Sequence, residues 1–150
     1  MDRPQIDENL SLLTFPPAAD DLQTLADDGF KSIVNLRQAG EQGEKLSPQA
    51  EAEEARENGL DYLHYPVSPP DLTAENAKDF ATRLVQLPRP VAIHCASGRR
   101  ASLMGLASWA LQNEGDAATA AKRGRDAGLE IGEMTGMTYN PLTRKYRLDP

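Results

Sequence analysis

Residues 91–111 place a short apolar run directly before a glycine-centred turn and a helix-forming segment. Residues 91–93 have the composition of a buried parallel strand, and residues 101–111 are predicted to form a helix. A strand that passes through a tight turn into a helix is the repeating unit of an α/β sheet. We therefore expect an α/β fold with this turn at the carboxyl edge of the sheet, where such sheets bind ligands.

The rest of the chain alternates predicted strands and helices in the same way. The predicted strands are 10–14, 33–36, 62–67 and 91–93, and the predicted helices are 18–28, 48–58, 74–87, 101–111 and 116–127. This order predicts a central, mostly parallel sheet of about four to five strands flanked by helices. With 150 residues, 39% of them hydrophobic, the chain is expected to form a single domain over 1–150. Its recognisable core spans about 9–128, and no regular structure is predicted for 129–150.

The turn after residues 91–93 holds Cys95, the only cysteine of the chain. A cysteine acts as a nucleophile in its thiolate form, which backbone N–H groups, a helix N-terminus and cationic side chains all favour. Gly98 lets the backbone curl, and Arg99 and Arg100 supply positive charge. Although an isolated cysteine is usually a buried hydrophobe, these neighbours favour a nucleophile in an anion-binding loop.

The pair His94-Cys95, followed by Gly98 and arginine, resembles the signature of cysteine-dependent protein phosphatases. Residues 29–37 are similar to the second strand of dual-specificity phosphatases, and residues 62–67 to the strand before their acid loop. The resemblance extends to the phosphatase-like domain of beta-lactamase hydrolase-like proteins. It implies a cysteine-phosphatase-like fold, with the active-site loop between the last strand of the sheet and the following helix.

The loop departs from the phosphatase pattern in its length. That pattern has five residues between cysteine and arginine, but Ala101 occupies the corresponding position here, and Arg100 follows Cys95 after four residues. Four is the loop length of rhodanese sulfurtransferases, whose smaller ring holds a persulfide sulfur. A shorter ring of amides leaves less room for a tetrahedral phosphate. Because His94 is typical of phosphatases, both substrate classes stay open at this point.

The resemblance implies that Cys95 attacks phosphorus and forms a cysteinyl-phosphate, while the loop amides and Arg100 hold the phosphate oxygens. Asp71, in the loop before the helix 74–87, is the candidate general acid, with Asp61 as the alternative. Asp71 is equally compatible with an idle carboxylate near a helix N-terminus. His94 is expected to order the loop by hydrogen bonding. The expected anion-binding loop comprises His94, Ala96, Ser97, Gly98, Arg99, Ala101 and Ser102.

Three functions follow from these residues, and a phosphatase for phosphate monoesters, phosphotyrosine among them, is the preferred one. A rhodanese-like sulfurtransferase would carry a persulfide on Cys95 and would need no general acid. An inactive anion-binding module would use the same loop without turnover. The expected substrate is an anionic small molecule or a phosphoprotein.

The net charge of −7 argues against nucleic acid or an anionic membrane as a partner. A single cysteine cannot form an internal disulfide, and the first residues lack the pattern of a signal peptide, so a cytoplasmic location is expected. Nothing in the sequence indicates an oligomeric state.

The sequence predicts neither a metal site nor a cofactor, because its two histidines are far apart and its cysteine has no cysteine partner. The predicted helix 48–58 carries several carboxylates that are expected to form a solvated face. They are Glu51, Glu53, Glu54 and Glu57.

Overall fold

The structure is a computed structural model that describes residues 2–68, 71–115, 117–129, 137–140 and 145–148. The strands in these ranges are β1 (Gln5–Asp7), β2 (Leu10–Leu13), β3 (Ser32–Asn35), β4 (Asp61–His64), β5 (Val91–His94), β6 (Met137–Asn140) and β7 (Lys145–Leu148). The helices are α1 (Ala19–Asp27), α2 (Pro48–Glu57), α3 (Ala74–Leu84), α4 (Arg99–Gln112) and α5 (Ala117–Asp126).

The first five strands form one sheet in the order β1-β2-β5-β3-β4. Strands β2, β5, β3 and β4 are parallel, and β1 pairs with β2 in the antiparallel direction. The register places Leu13 and Asn35 beside His94, so neighbouring parallel strands end together at one edge of the sheet. The predicted mostly parallel α/β sheet is confirmed. Strand β1 was not predicted, because three residues are too short to show a period of two.

Helices cover both faces of this sheet. On one face, α1 and α2 enclose an apolar cluster that includes Leu22, Leu25 and Ala55. On the other face, α3 and α4 enclose a larger cluster that includes Phe80 and Met104, and α5 packs beside α4. Because side chains alternate along a strand, successive residues of β5 enter the two clusters in turn. As a consequence, His94 at the end of β5 faces α2, whereas Cys95 directly after it faces the cluster under α3 and α4.

Helix α4 lies close to the sheet because a glycine faces it. A Cβ atom on Gly105 would lie 3.0 Å from Ile6 Cδ1 and 3.2 Å from Leu12 Cδ2. Helix α4 also begins at Arg99, two residues before the predicted start, because Gly98 serves as its N-cap. The helix therefore starts inside the segment that follows Cys95.

The other differences from the predicted elements lie at their ends. Helix α3 stops at Leu84 instead of continuing to Leu87, and β4 stops at His64 instead of Val67. The tail was predicted to lack regular structure, which is wrong for the antiparallel pair β6–β7. The remainder of that tail prediction lies outside the described residues. None of the helices that the structure describes is long and apolar enough to cross a membrane.

We expect the substitution Phe80→Ala to destabilise the fold by about 3–5 kcal/mol, since it removes a fully buried aromatic ring and leaves a cavity. Phe80 is 0% exposed, whereas Val85, five residues further along, is 45% exposed. Urea unfolding should show the large loss for Phe80→Ala and a change within about 0.5 kcal/mol for the control Val85→Ala. Equal effects of the two substitutions would contradict this description of the core.

Candidate active site

Cys95 lies directly after β5 and is 1% exposed. Its Sγ atom accepts hydrogen bonds from the backbone N–H groups of Gly98 at 3.2 Å and Ala101 at 3.4 Å. Gly98 is the N-cap residue of α4, and Ala101 lies in the first turn of this helix. Amide donors and a helix N-terminus that face a sulfur stabilise the negative charge of a thiolate. The segment therefore has the geometry of an anion-binding loop around a nucleophile.

The shape of this loop depends on Gly98, which has a φ of +95°. A Cβ atom there would lie 3.2 Å from Thr14 Cα, so both the dihedral angle and the space favour glycine. Ser102 is buried, and its Oγ donates a hydrogen bond to Gly98 O at 2.6 Å. Ser102 therefore holds the turn at the start of α4. Ala96 is half-buried and Ser97 is exposed on the outer side of the loop.

Arg100 is fixed beside Cys95. It donates from Nη1 and Nη2 to the two carboxylate oxygens of Glu41, at 2.8 and 2.7 Å, and from Nη1 to Val67 O at 2.8 Å. The hydrogen bond with Glu41 raises the pKa of Arg100 above its ordinary value, and contact with Cys95 raises it further. The hydrogen bonds to Glu41 and Val67 use three of the five guanidinium N–H groups. Arg99 is exposed.

Glu41 is a site residue that the sequence did not reveal. It lies in the loop between β3 and α2, 59 residues before Arg100, and its Oε1 is also 3.7 Å from Nε of Arg37. Arg37 is buried and donates to the carbonyl groups of Glu41 and Gln42, which fixes the course of this loop. The hydrogen bond from Arg100 lowers the pKa of Glu41 to about 2. A glutamate in a polar, turn-rich loop does not indicate, from the sequence alone, that it will pair with an arginine 59 residues away.

His94 points away from the sulfur, toward α2. Its Nε2 lies 2.7 Å from Oε2 of Glu51, and the two side chains are 1% and 2% exposed. The prediction that Glu51 belongs to a solvated face is therefore wrong, although Glu53 and Glu57 are exposed as expected. The physical reason is the alternation along β5, which aims His94 at the helix on the other face of the sheet from α4.

Asp71 lies in the loop between β4 and α3, four residues after Val67, whose carbonyl binds Arg100. Its Oδ2 accepts hydrogen bonds from the backbone N–H of Ser68 at 2.9 Å and from Ser68 Oγ at 2.8 Å. These two bonds lower the pKa of Asp71 below its usual value. The loop that carries Asp71 is thus attached to the site, while the carboxylate itself closes a local turn. Asp61 lies at the other end of β4.

With this geometry established, the family of the chain can be identified by its similarity to known proteins. Residues 6–124 match the family model of the phosphatase-like domain of beta-lactamase hydrolase-like proteins. A beta-lactamase hydrolase-like protein of Agrobacterium fabrum is 35% identical over 97 residues, which cover 65% of this chain and 22% of the relative. The chain therefore spans about a fifth of the length of the curated relatives of this type that it matches.

Solved structures of phosphatases have the same fold. A protein of Neisseria meningitidis Z2491 assigned to the phosphatases superposes with a TM-score of 0.71 at 23% identity, covering 85% of this chain and 89% of that one. The active form of Tk-PTP superposes with a TM-score of 0.69 at 22% identity, covering 89% of this chain and 90% of that one. The five-stranded sheet and its helices are thus a protein-tyrosine-phosphatase-like fold.

We expect Glu41→Gln to lower the free energy of unfolding at neutral pH and to lower it by a smaller amount in acid. The pKa of Glu41 is about 2 in the folded protein against an ordinary 4.5, so its contribution to stability is present above pH 4.5 and is lost as the pH falls toward 2. Urea unfolding at pH 6 and pH 3 should show that the difference between the wild type and Glu41→Gln shrinks in acid. The control is Glu53→Gln, at an exposed carboxylate of α2. A difference that is independent of pH would contradict the Glu41–Arg100 ion pair.

Proposed function

Because this chain belongs to the family of phosphatase-like domains of beta-lactamase hydrolase-like proteins, we propose that it is a cysteine-dependent phosphatase for phosphate monoesters, including phosphotyrosine. Cys95 is the nucleophile and Arg100 binds the phosphate. The observation that carries this proposal is the arrangement around one sulfur atom. Two backbone N–H groups are directed at Sγ, and a guanidinium held by Glu41 lies beside it.

The proposed reaction has two displacement steps. In the first step the Cys95 thiolate attacks phosphorus, a sulfur–phosphorus bond forms, and the bond from phosphorus to the leaving oxygen breaks. The loop amides and the remaining N–H groups of Arg100 hold the other phosphate oxygens, over which the charge is spread in the transition state. In the second step water attacks the cysteinyl-phosphate, which releases inorganic phosphate and restores the thiolate.

Asp71 is the residue that we propose as the general acid for the leaving oxygen. Its loop is joined to the site through the bond between Val67 O and Arg100. A general acid must carry a proton when the substrate binds, and the hydrogen bonds from Ser68 favour the ionised form of Asp71. In this proposal Asp71 leaves Ser68 and takes up a proton once an anionic substrate occupies the loop.

A second candidate function, sulfur transfer, would use the same arrangement around Cys95. Here the Cys95 thiolate attacks the outer sulfur of a donor such as thiosulfate, and the sulfur–sulfur bond of the donor breaks to release sulfite. Cyanide or a thiol then removes this sulfur from the persulfide and restores the thiolate. No general acid is required, so an ionised Asp71 is no obstacle. The interval of four residues between Cys95 and Arg100 also fits the smaller sulfur atom.

A paired assay of the purified chain and Cys95→Ser tests both functions. We expect the wild type to release phosphate from an aryl phosphate, and Cys95→Ser to lose at least about 10³-fold in rate, since a hydroxyl is a much weaker nucleophile than a thiolate. The parallel measurement is the formation of thiocyanate from thiosulfate and cyanide. Thiocyanate without phosphate release would replace the phosphatase by a sulfurtransferase. No turnover in either assay, with anion binding kept, would identify a binding module.

The substitution Asp71→Asn tests the proposed acid. We expect kcat to fall by about 10²-fold for an alkyl phosphate, whose leaving group needs a proton, and by much less for p-nitrophenyl phosphate, whose leaving group does not. The comparison variant is Asp61→Asn, at the opposite end of β4. Equal rates of wild type and Asp71→Asn on both substrates would exclude Asp71 as the acid.

A further inference from the structure

A histidine and a carboxylate form a buried pair next to the nucleophile. Nε2 of His94 and Oε2 of Glu51 are 2.7 Å apart, and neither side chain is more than 2% exposed. Ala55, one turn after Glu51 on α2, and Ala92, two residues before His94 on β5, belong to the apolar cluster under α1 and α2. Burying such a pair costs desolvation free energy that its own attraction repays incompletely. Its position beside Cys95 suggests that the pair serves the nucleophile more than the stability of the fold.

The second ring nitrogen of His94 indicates where the proton lies. Nδ1 is buried and has no hydrogen-bond partner among the described residues. An imidazolium would leave a charged N–H unpaired at Nδ1, which costs more than leaving a neutral lone pair unpaired. A carboxylate opposite Nε2 can only accept, so Nε2 carries the proton. The pair is therefore best described as a neutral His94, protonated at Nε2, that donates to an ionised Glu51.

The position of Glu51 in the fold also favours its ionised form. It lies in the first turn of α2, whose free N–H groups favour negative charge, and Ser47 caps this end of the helix. The hydroxyl of the nearby Tyr62 accepts a hydrogen bond from Nδ2 of Asn35 at 3.1 Å, so Tyr62 has a partner of its own.

We propose that Glu51 is a positioning residue for Cys95 that acts through His94. Its carboxylate selects one tautomer of His94 and fixes the ring on the α2 side of the sheet. His94 is also held by its carbonyl, which accepts from the N–H of Leu36 at 2.9 Å. With ring and backbone both fixed, the next peptide must deliver Cys95 to the other face, between the N–H groups of Gly98 and Ala101. The inference rests on the proposed role of Cys95 as the nucleophile.

The tautomer can be observed directly, because the chain has only two histidines. A two-bond ¹H–¹⁵N spectrum of the imidazole rings at neutral pH should show His94 with a proton on Nε2 and none on Nδ1. The substitution Glu51→Gln keeps the shape of the side chain but replaces a charged acceptor by a weaker, neutral one. We expect it to shift His94 toward a mixture of tautomers. His64, whose Nε2 lies 2.6 Å from Arg37 O, is the internal control and should stay unchanged.

The effect on the nucleophile can be measured without any substrate, since Cys95 is the only thiol. We expect Glu51→Gln to slow alkylation of Cys95 by iodoacetamide by about tenfold, by analogy with the loss caused when a residue that orients a metal-ligating histidine is changed. The exposed Glu53→Gln on the same helix should react at the wild-type rate. In a His94→Asn background, Glu51→Gln should have no further effect, because Glu51 then has no ring to hold.

Several results would overturn the inference. They are a wild-type His94 protonated at Nδ1, an unchanged spectrum and alkylation rate in Glu51→Gln, or equal effects of Glu51→Gln with and without His94. These measurements separate this inference from the proposed function. If the wild type has neither phosphatase nor sulfurtransferase activity but alkylation of Cys95 still depends on Glu51 and His94, the proposed function fails and the positioning role stands.

Discussion

The passage from β5 into α4 is the constraint on which the site depends. β5 lies between two parallel strands and is buried on both faces, so its end cannot shift. The chain must then turn at once to place α4 against the sheet, where Gly105 allows close approach. Gly98 makes that turn possible through its positive φ. Because the turn is this tight, the amides of Gly98 and Ala101 are directed at the sulfur.

Local charge, and not the net charge, prepares this loop for an anion. The protein carries a formal charge of −7, yet two arginines share a single carboxylate at the carboxyl edge of the sheet. Glu41 holds Arg100 in one orientation. Arg37 in turn fixes the loop that carries Glu41. In the proposed reaction this arrangement orders Arg100 before the substrate arrives, which reduces the entropy lost on binding.

The predictable part of the fold and site is the part encoded by residues close together in sequence. The parallel sheet and the place of the loop could be predicted from the apolar run before Cys95, from Gly98 and from the helix-forming segment that follows. Glu41 lies 59 residues before its partner Arg100, and Glu51 lies 43 residues before its partner His94. The pattern of a single sequence does not indicate which residues so far apart will meet in the fold. Glu51 was misassigned because its helix is rich in carboxylates, and only the alternation along β5 shows which one faces the sheet.

The structure also connects loop length with the choice of chemistry. A phosphoryl group on Cys95 needs donors for three oxygens and a proton for its leaving group, whereas a sulfane sulfur adds one atom and needs no acid. The ring is one residue short of the phosphatase pattern, and Asp71 is bound to Ser68 in the ionised form. Both features make fewer demands on a sulfur substrate, while the fold matches that of the solved phosphatase structures. In the proposed phosphatase reaction, Asp71 can donate a proton to the leaving group only after its hydrogen bonds from Ser68 have broken.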